Sequence, residues 1–482
     1  MKKFLSLVLA LVMAMSLVTI SAGATEYKEL TDKDEIQYEE AVAVLNRIGI
    51  ITGYDDGSFQ PKKELTRGAA AKIIVSLLIG PEAAGNLPNN SSPYPDVPAN
   101  HTFAGVISFC KTKNIISGYG DGTFKPGDSL TGYAFAKMLL GAVGYDAELE
   151  RFTGSGWTNN IAAIGQSAGL FDRLKFDGSA AVNREQACQL ALNALKATVV
   201  TYTNGINVNV TGENTNVAVS GGQVRSYKTS NQEFARNIRT RNYTEVASSD
   251  NYYTVEFAEE HFVDLRLEHD KWNPTPDDFG RPSAEWSYKK VTIGTYPLEP
   301  DFTYNPQQAH AAIDDDAAKV RALGLRGYEL HADGADKDAV QTTLWINGVE
   351  QTGANRLTSV GNIADYTDNG TVVNVYVSED DADFITDVVV IHTQLMEVKR
   401  VGSDYVALDL KDGDKPVIGH AFNQDPLDVE MKDTKDDNEN YAMLKELKAG
   451  DLVAVVPVAD NHSATSKYVV SKAYVPETVT GT

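Results

Sequence analysis

Cysteine, histidine, positive charge and long apolar runs are all scarce in this chain, and each scarcity narrows what it does. Only two cysteines, Cys110 and Cys188, occur in 482 residues. A disulfide framework needs more, and neither has a partner at metal-ligand spacing, so both read as small buried hydrophobes, with a bridge between them left open. The eight histidines include no pair separated by three residues of the kind that holds zinc on a helix; His261 and His269 stand eight apart. After the N-terminal segment no stretch reaches the ~20 apolar residues of a membrane-spanning helix. The 66 acidic side chains outnumber 43 basic ones, for a net charge of −23. Such a chain repels nucleic acid phosphates and anionic lipid, so neither is an expected partner.

The acidity is uneven. Residues 25–197 carry 20 acidic and 16 basic side chains, against 46 and 25 in residues 198–482. At ~150 residues per domain the length suggests about three units. Lys2 and Lys3, the apolar run Phe4 to Ile20 and the small residues Ala22-Gly23-Ala24 have the form of an export signal over residues 1–24, with Thr25 as first mature residue. No cysteine sits there to take a lipid, and Val475-Pro476-Glu477-Thr478-Val479 lacks the Leu and Gly of a sortase signal. The expectation is an exported chain with no covalent tether, held to a surface by a binding module. The chain stops soon after a strand-like stretch, which reads as a truncated protein.

What is present is a repeat. Gly53-Tyr54-Asp55-Asp56-Gly57-Ser58-Phe59-Gln60-Pro61 returns 65 residues later as Gly118-Tyr119-Gly120-Asp121-Gly122-Thr123-Phe124-Lys125-Pro126. Each copy follows an Ile-Ile pair and precedes a helical stretch opened by Thr66 or Thr131, giving helix, loop, turn, helix. A worn third copy fits with Gly169-Leu170 in the Gly-Tyr place, Asp177-Gly178 as the turn and Asn183-Arg184-Glu185 opposite Thr66-Arg67-Gly68. Apolar stripes at helical spacing run through Tyr38, Val42, Leu45 and Ile48, and through Ala69, Ala70, Ile73, Ile74 and Leu77. One such unit buries too little apolar surface alone; three around a shared axis close a core.

These residues, with Tyr94-Pro95-Asp96-Val97, His101, Phe103 and Ala104 opening the second copy, resemble the S-layer homology domain over roughly residues 27–197. The resemblance implies three repeats (25–82, 92–147 and a degenerate 154–197) in a pseudo-threefold helical bundle. It also implies non-covalent attachment to a secondary cell-wall polysaccharide carrying ketal-linked pyruvate, hence a place on the cell wall or surface layer. An N-cap followed by Arg sets a guanidinium beside the free N–H groups of a helix start, both of which favour a carboxylate. Arg67 and Arg184 hold that position, and the resemblance implies that they bind the pyruvylated sugar. A surface Arg paired with a nearby acid is the plain alternative. Gly132 stands where the second copy should have Arg, which puts one site in doubt. Tyr54 and Tyr119 are candidates to stack on a sugar face, or else pack beneath their loops.

Three motifs are set aside. Gly165-Gln166-Ser167-Ala168-Gly169 has the nucleophile-elbow spacing but falls in a helical segment rather than a strand–turn–helix. Gly118 to Gly122 lacks a following helix start, and the Asp-Gly turns lack the acidic ligand ladder of an EF-hand.

Past residue 198 the period becomes strand-like: Ile206 to Val210, Val217 to Val219, Tyr252 to Phe257, Thr371 to Val377, Thr386 to His392, Tyr405 to Leu410 and Leu452 to Val458. Asn369-Gly370 and Asp412-Gly413 add hairpin signals, and Gln307 to Leu323 reads as helix. The expected architecture is therefore multidomain α + β: the helical repeats, then a mixed, mainly β unit over 203–390 and a small β unit over 391–482. No catalytic residue stands out. No cofactor is expected, with calcium as the exception that Asp380, Asp381 and Asp383, or Asp433, Asp436 and Asp437, could supply with oxygen ligands. Two functions remain: a structural surface protein that self-associates in a layer, or a wall-anchored polysaccharide-degrading enzyme with its catalytic domain in 203–482.

Overall fold

The computed structural model describes residues 30–202 apart from 176; the strand segments 207–211, 214–218, 223–224, 226–228 and 252–254; and residues 256–268, 275–305, 310, 312–331, 342–367, 370–378, 383–402, 405–410, 427–430, 446–459, 462 and 468–474. The export signal lies outside them, as do the Asp-rich clusters apart from Asp383 and the Asp412-Gly413 turn. The chain divides into two compact units, residues 1–227 with 254–262, and residues 228–253 with 263–482. That division differs from the expected breaks at 203 and 390.

The first unit is helical: α1 (Glu39–Arg47), α2 (Arg67–Ile79), α3 (Pro81–Gly85), α4 (Ala104–Thr112), α5 (Gly132–Val143), α6 (Trp157–Ser167) and α7 (Arg184–Lys196). The caps are local chemistry. Thr66 and Thr131 accept from the N–H three residues on, at 3.3 and 3.2 Å, and Asn183 with Gln186 forms a reciprocal capping box. Ser167 ends α6 with its hydroxyl bonded back to the Ile164 carbonyl, so the elbow-like motif is a helix end.

The repeats are joined by a ring of backbone bonds. Leu65 N–H donates to Val182 O at 2.8 Å, Val182 N–H to Leu130 O at 3.0 Å, and Leu130 N–H to Leu65 O at 3.3 Å. Each of these residues precedes the N-cap of α2, α7 or α5, and all three are buried. Around them the fully buried Phe59, Phe124, Phe135, Ile74 and Leu77 belong to the core. Cys110 and Cys188 are free and buried in this core, which pushes their thiols up to about 12.

The first unit does not end with α7. Helix α8 (Phe257–His261), in a stretch whose alternation suggests strand through Phe257, packs against α7 and α2. Phe257 is 1% exposed, with Ala258 and Phe262 also buried, and its N–H donates to Ala197 O at 2.9 Å. Beside it β1 (Val200–Thr201) pairs with β4 (Gln223–Val224), while β2 (Asn207–Thr211) and β3 (Asn214–Ala218) form a hairpin where alternation placed strands. Gly144, at φ 118°, lies so close to Val200 that a Cβ would come 2.1 Å from its carbonyl oxygen.

The second unit is mainly β. A three-stranded sheet comprises β5 (Leu265–Glu268), β6 (Ser283–Tyr288) and β7 (Val291–Pro297). A six-stranded mixed sheet takes the order β8 (Phe302–Tyr304), β12 (Thr371–Val377), β13 (Phe384–His392), β10 (Thr343–Ile346), β11 (Val349–Glu350), with β9 (Glu329–Leu330) parallel to β13. A five-stranded antiparallel sheet has the order β16 (Leu427–Glu430), β15 (Tyr405–Leu410), β14 (Gln394–Val401), β17 (Leu452–Ala459), β18 (Tyr468–Tyr474). Among the described residues its longest α-helix, α9, spans Asp316–Leu323 and is capped by the Asp315 carboxylate. The C-terminal Leu323 of that helix joins Leu344, Val373, Val375, Ile385 and Val388 in a core.

Within that unit the indole of Trp345 donates to the Asp387 carboxylate at 3.3 Å. Burial raises this carboxyl to about 6, against partial relief from the Trp345 and Thr386 hydrogen bonds. The folded state therefore holds a proton that the unfolded chain releases from its ordinary 3.8. Its contribution is unfavourable above about pH 6 and disappears as pH falls toward 4. Asp387→Asn is expected to stabilise the second unit at pH 7 by about 1–3 kcal/mol, since each tenfold difference in proton affinity between the folded and unfolded chain is worth about 1.4 kcal/mol. Denaturant titrations at pH 7 and pH 4 check it: the gap between parent and variant should narrow at the lower pH.

Candidate functional site

Each Gly-Tyr loop closes on itself. Tyr54 N–H donates to Ser58 O at 2.7 Å and Tyr119 N–H to Thr123 O at 2.8 Å, and at Gly118 an added Cβ would come 2.7 Å from that Thr123 oxygen. Asp56 and Asp121 accept from the hydroxyl and N–H of Ser58 and Thr123. Asp32 and Asp96 reach in from the preceding segment, each accepting two backbone N–H groups: Phe59 and Gln60 at 2.7 Å, Phe124 and Lys125 at 2.9 and 2.6 Å. Desolvation works against the Asp96 carboxylate, but these two donors hold it below the ordinary carboxylate range.

The arginines do not serve their own loops. Arg67, on α2 of the first copy, lies on the second loop, where Nε donates to Phe124 O at 2.8 Å and Nη2 to Ser117 O at 3.1 Å. Its guanidinium carbon is 4.4 Å from the Phe124 ring centroid and 4.7 Å from that of Tyr119. Arg184, from the third copy, repeats this on the first loop with Phe59 O and Thr52 O at 2.8 and 3.0 Å, beside the rings of Phe59 and Tyr54. Lys63 and Lys125 approach the same tyrosines at 4.5 and 4.6 Å. Tyr54 and Tyr119 are 37% and 41% exposed, each part of a cation–aromatic cluster at the surface.

One element of the expected anion site is absent. The first N–H groups of α2, α5 and α7 are not free: Arg67 and Gly68 donate to Asp128 O and Pro126 O, Gly132 and Tyr133 to Ala180 O and Gly178 O, Arg184 and Glu185 to Lys63 O and Pro61 O. The neighbouring copy caps each helix start, so a negative ligand finds none of these N–H groups free.

The same bonds correct the alignment of the third copy. Gly178 O accepts where Pro61 O and Pro126 O do, and Leu170 N–H bonds back to Gly165 O as Ile50 does to Leu45 O and Ile115 to Cys110 O. Gly169-Leu170 therefore matches Gly49-Ile50, and Asp177-Gly178 matches Gln60-Pro61 rather than the Asp-Gly turn. The third loop is shorter and carries no tyrosine counterpart. Gly132 brings that loop no guanidinium from the neighbouring copy, and Tyr133 packs there on Gly178, edge-on to Phe171.

Beside Arg67 lies a groove of about 390 Å3, lined by Arg67, Ser117, Tyr119, Lys137, Phe152 and Trp157 among others. The repeat motif does not single out Lys137 or Trp157. The signal for the first is a lysine inside the apolar stripe of α5, six residues after its N-cap. Among the described residues no group of His, Cys, Asp and Glu side chains is placed to hold a metal ion, and no helix is long and apolar enough to cross a membrane.

The S-layer homology domain profile matches residues 29–71 and 93–136, the two copies whose loops and arginine contacts are described above. The chain carries two S-layer homology domains. It is 40% identical over 90 residues to cell surface glycoprotein 1 of Acetivibrio thermocellus, covering 19% of this chain and 4% of that one. With a surface layer protein of Brevibacillus choshinensis it shares 27% identity over 223 residues, 44% and 19% of the two chains. A cellulosome-anchoring protein of A. thermocellus is 37% identical over 89 residues, 18% and 20% of each. The S-layer homology protein thus spans well under a third of these relatives.

Proposed function

We propose that the helical unit anchors this exported protein non-covalently to the cell wall by binding a pyruvylated secondary polysaccharide at the clefts beside its Gly-Tyr loops. The observation that carries this reading is the repeated cluster of exposed tyrosine, guanidinium and lysine on two loops in an otherwise acidic chain. Tyr54 and Tyr119 present ring faces to sugar, while Arg67 and Arg184 hold those loops and offer their remaining N–H donors. Residues 154–197 act as a third, degenerate repeat in a pseudo-threefold bundle, supported by the closed ring of Leu65, Val182 and Leu130. The acidic β unit has a structural, surface-layer role, which the surface, wall and anchoring names of the relatives support. Calcium bridging between Asp clusters of neighbouring copies is part of that role, and identical sedimentation in calcium and in chelator would remove it.

The direct test is sedimentation of residues 25–482 with purified Gram-positive cell walls before and after acid removal of pyruvate ketals. Binding should be lost with the ketals; retention would exclude pyruvate as the determinant. Because Gly132 faces the loop that lacks tyrosine, Gly132→Ala is expected to change wall affinity less than about twofold, whereas Arg67→Ala weakens it about tenfold or more. Equal losses in calorimetric titration would mean that these helix starts matter only for packing.

A further inference from the structure

We infer that Lys137, set against the indole of Trp157, is the residue that reads the negative charge of the ligand in the Arg67 groove, and that Arg67 itself is the clamp that shapes the loop. This rests on the reading that the groove takes the wall polymer, and it assigns the anion contact within it to an acidic sugar.

Three observations carry it. First, the guanidinium of Arg67 is committed through Nε and Nη2 to the carbonyls of Phe124 and Ser117 and is flanked by two rings. The planar edge spanning Nε and Nη2, which pairs best with a carboxylate, is therefore occupied by backbone. Second, the helix-start N–H groups beside it are capped by Asp128 and Pro126, so the backbone offers the ligand no positive dipole there. Third, Lys137 is half-buried in the groove wall, its Nζ 5.7 Å from the Trp157 ring centroid, and among the described residues it makes no ion pair or hydrogen bond. An ammonium held out of water without an anionic partner is costly unless something supplies the charge. Burial alone lowers Lys137 from its ordinary value.

The equivalent positions differ. Lys72, six residues after Thr66, is exposed, and Gln189, six after Asn183, is buried and bonded to Asn193. Only at 137 do a shielded cation and an indole share a groove with a tyrosine. A pyranose seated between Tyr119 and Trp157 would direct a ring-borne carboxylate toward Nζ.

The test uses residues 25–482 and two probes, a hexopyranoside carrying a ketal-linked pyruvate and the methyl ester of the same compound, titrated calorimetrically. The parent should bind the acid about tenfold or more tightly than the ester. Lys137→Met, of similar length and neutral, should erase that preference with a melting temperature no lower than the parent's, and Lys137→Arg should restore it. Arg67→Gln should lower the melting temperature of the helical unit yet keep the preference for the acid. A Lys137→Met protein that still discriminates acid from ester overturns the assignment, as does an Arg67→Gln protein that is folded and no longer discriminates. If the parent binds neither probe and no wall, the polymer reading falls and this inference with it.

Discussion

Phe257→Ala is expected to lower the stability of the helical unit by about 3–5 kcal/mol while leaving the β unit's transition in place. The side chain is 1% exposed, and its helix packs on α7 and α2, whose starts carry Arg184 and Arg67. A cavity left there loosens the packing of α8 on both helices, whose starts follow Val182 and Leu65 of the backbone ring. Thermal unfolding monitored at 222 nm should split into an early helical step and a later β step. A single unshifted transition would mean that α8 is an ornament. The same packing predicts that a fragment ending at residue 197 melts well below one ending at 264.

The double variant Arg67→Ala, Arg184→Ala should abolish sedimentation with cell walls. Each arginine makes two charge-assisted bonds to loop carbonyls, and their loss costs on the order of 1.5–3 kcal/mol per bond to a charged group before solvent screening reduces it. Tyr54 and Tyr119 each lose one of the two cations beside the ring, with Lys63 and Lys125 remaining, so the two proposed sugar platforms loosen together. The helical circular dichroism signal should survive at 20 °C, because the caps Thr66 and Asn183 and the core beneath them are untouched. Full wall binding by this variant would separate the Gly-Tyr loops from anchoring altogether.

The second unit is legible in part, for local reasons. Thr371–Val377 and Tyr405–Leu410 appear at the expected bounds because short runs rich in Val, Tyr and Leu favour strand, and most of their side chains are buried on both faces of the sheet. The hairpin Ser283–Pro297 has no such signal: its two-residue turn is Lys289-Lys290, with φ of 50° and 64°, and lysine does not mark a hairpin. Asn347-Gly348, at φ 46° and 81° between Ile346 and Val349, does carry one, beside strands too short to show a period. Tyr252 to Phe257 alternates like a strand, yet Phe257 turns into helix once Ala197 and the α7–α2 face offer it a partner.

By itself the sequence determined that two copies of a helix–loop–helix unit exist, that Thr66, Thr131 and Asn183 open helices, and that Arg67, Arg184, Tyr54 and Tyr119 are its distinctive side chains. Those are properties of short windows, where capping, turn chemistry and apolar spacing act within a few residues. Only the tertiary structure decided which arginine meets which loop, that the helix starts are already capped by the next copy, that Lys137 stands beside Trp157, and that α8 completes the helical unit. Each of those pairings joins segments at least 20 residues apart. Their partners are chosen by closing a shared core around three chain segments, a condition that no local pattern encodes.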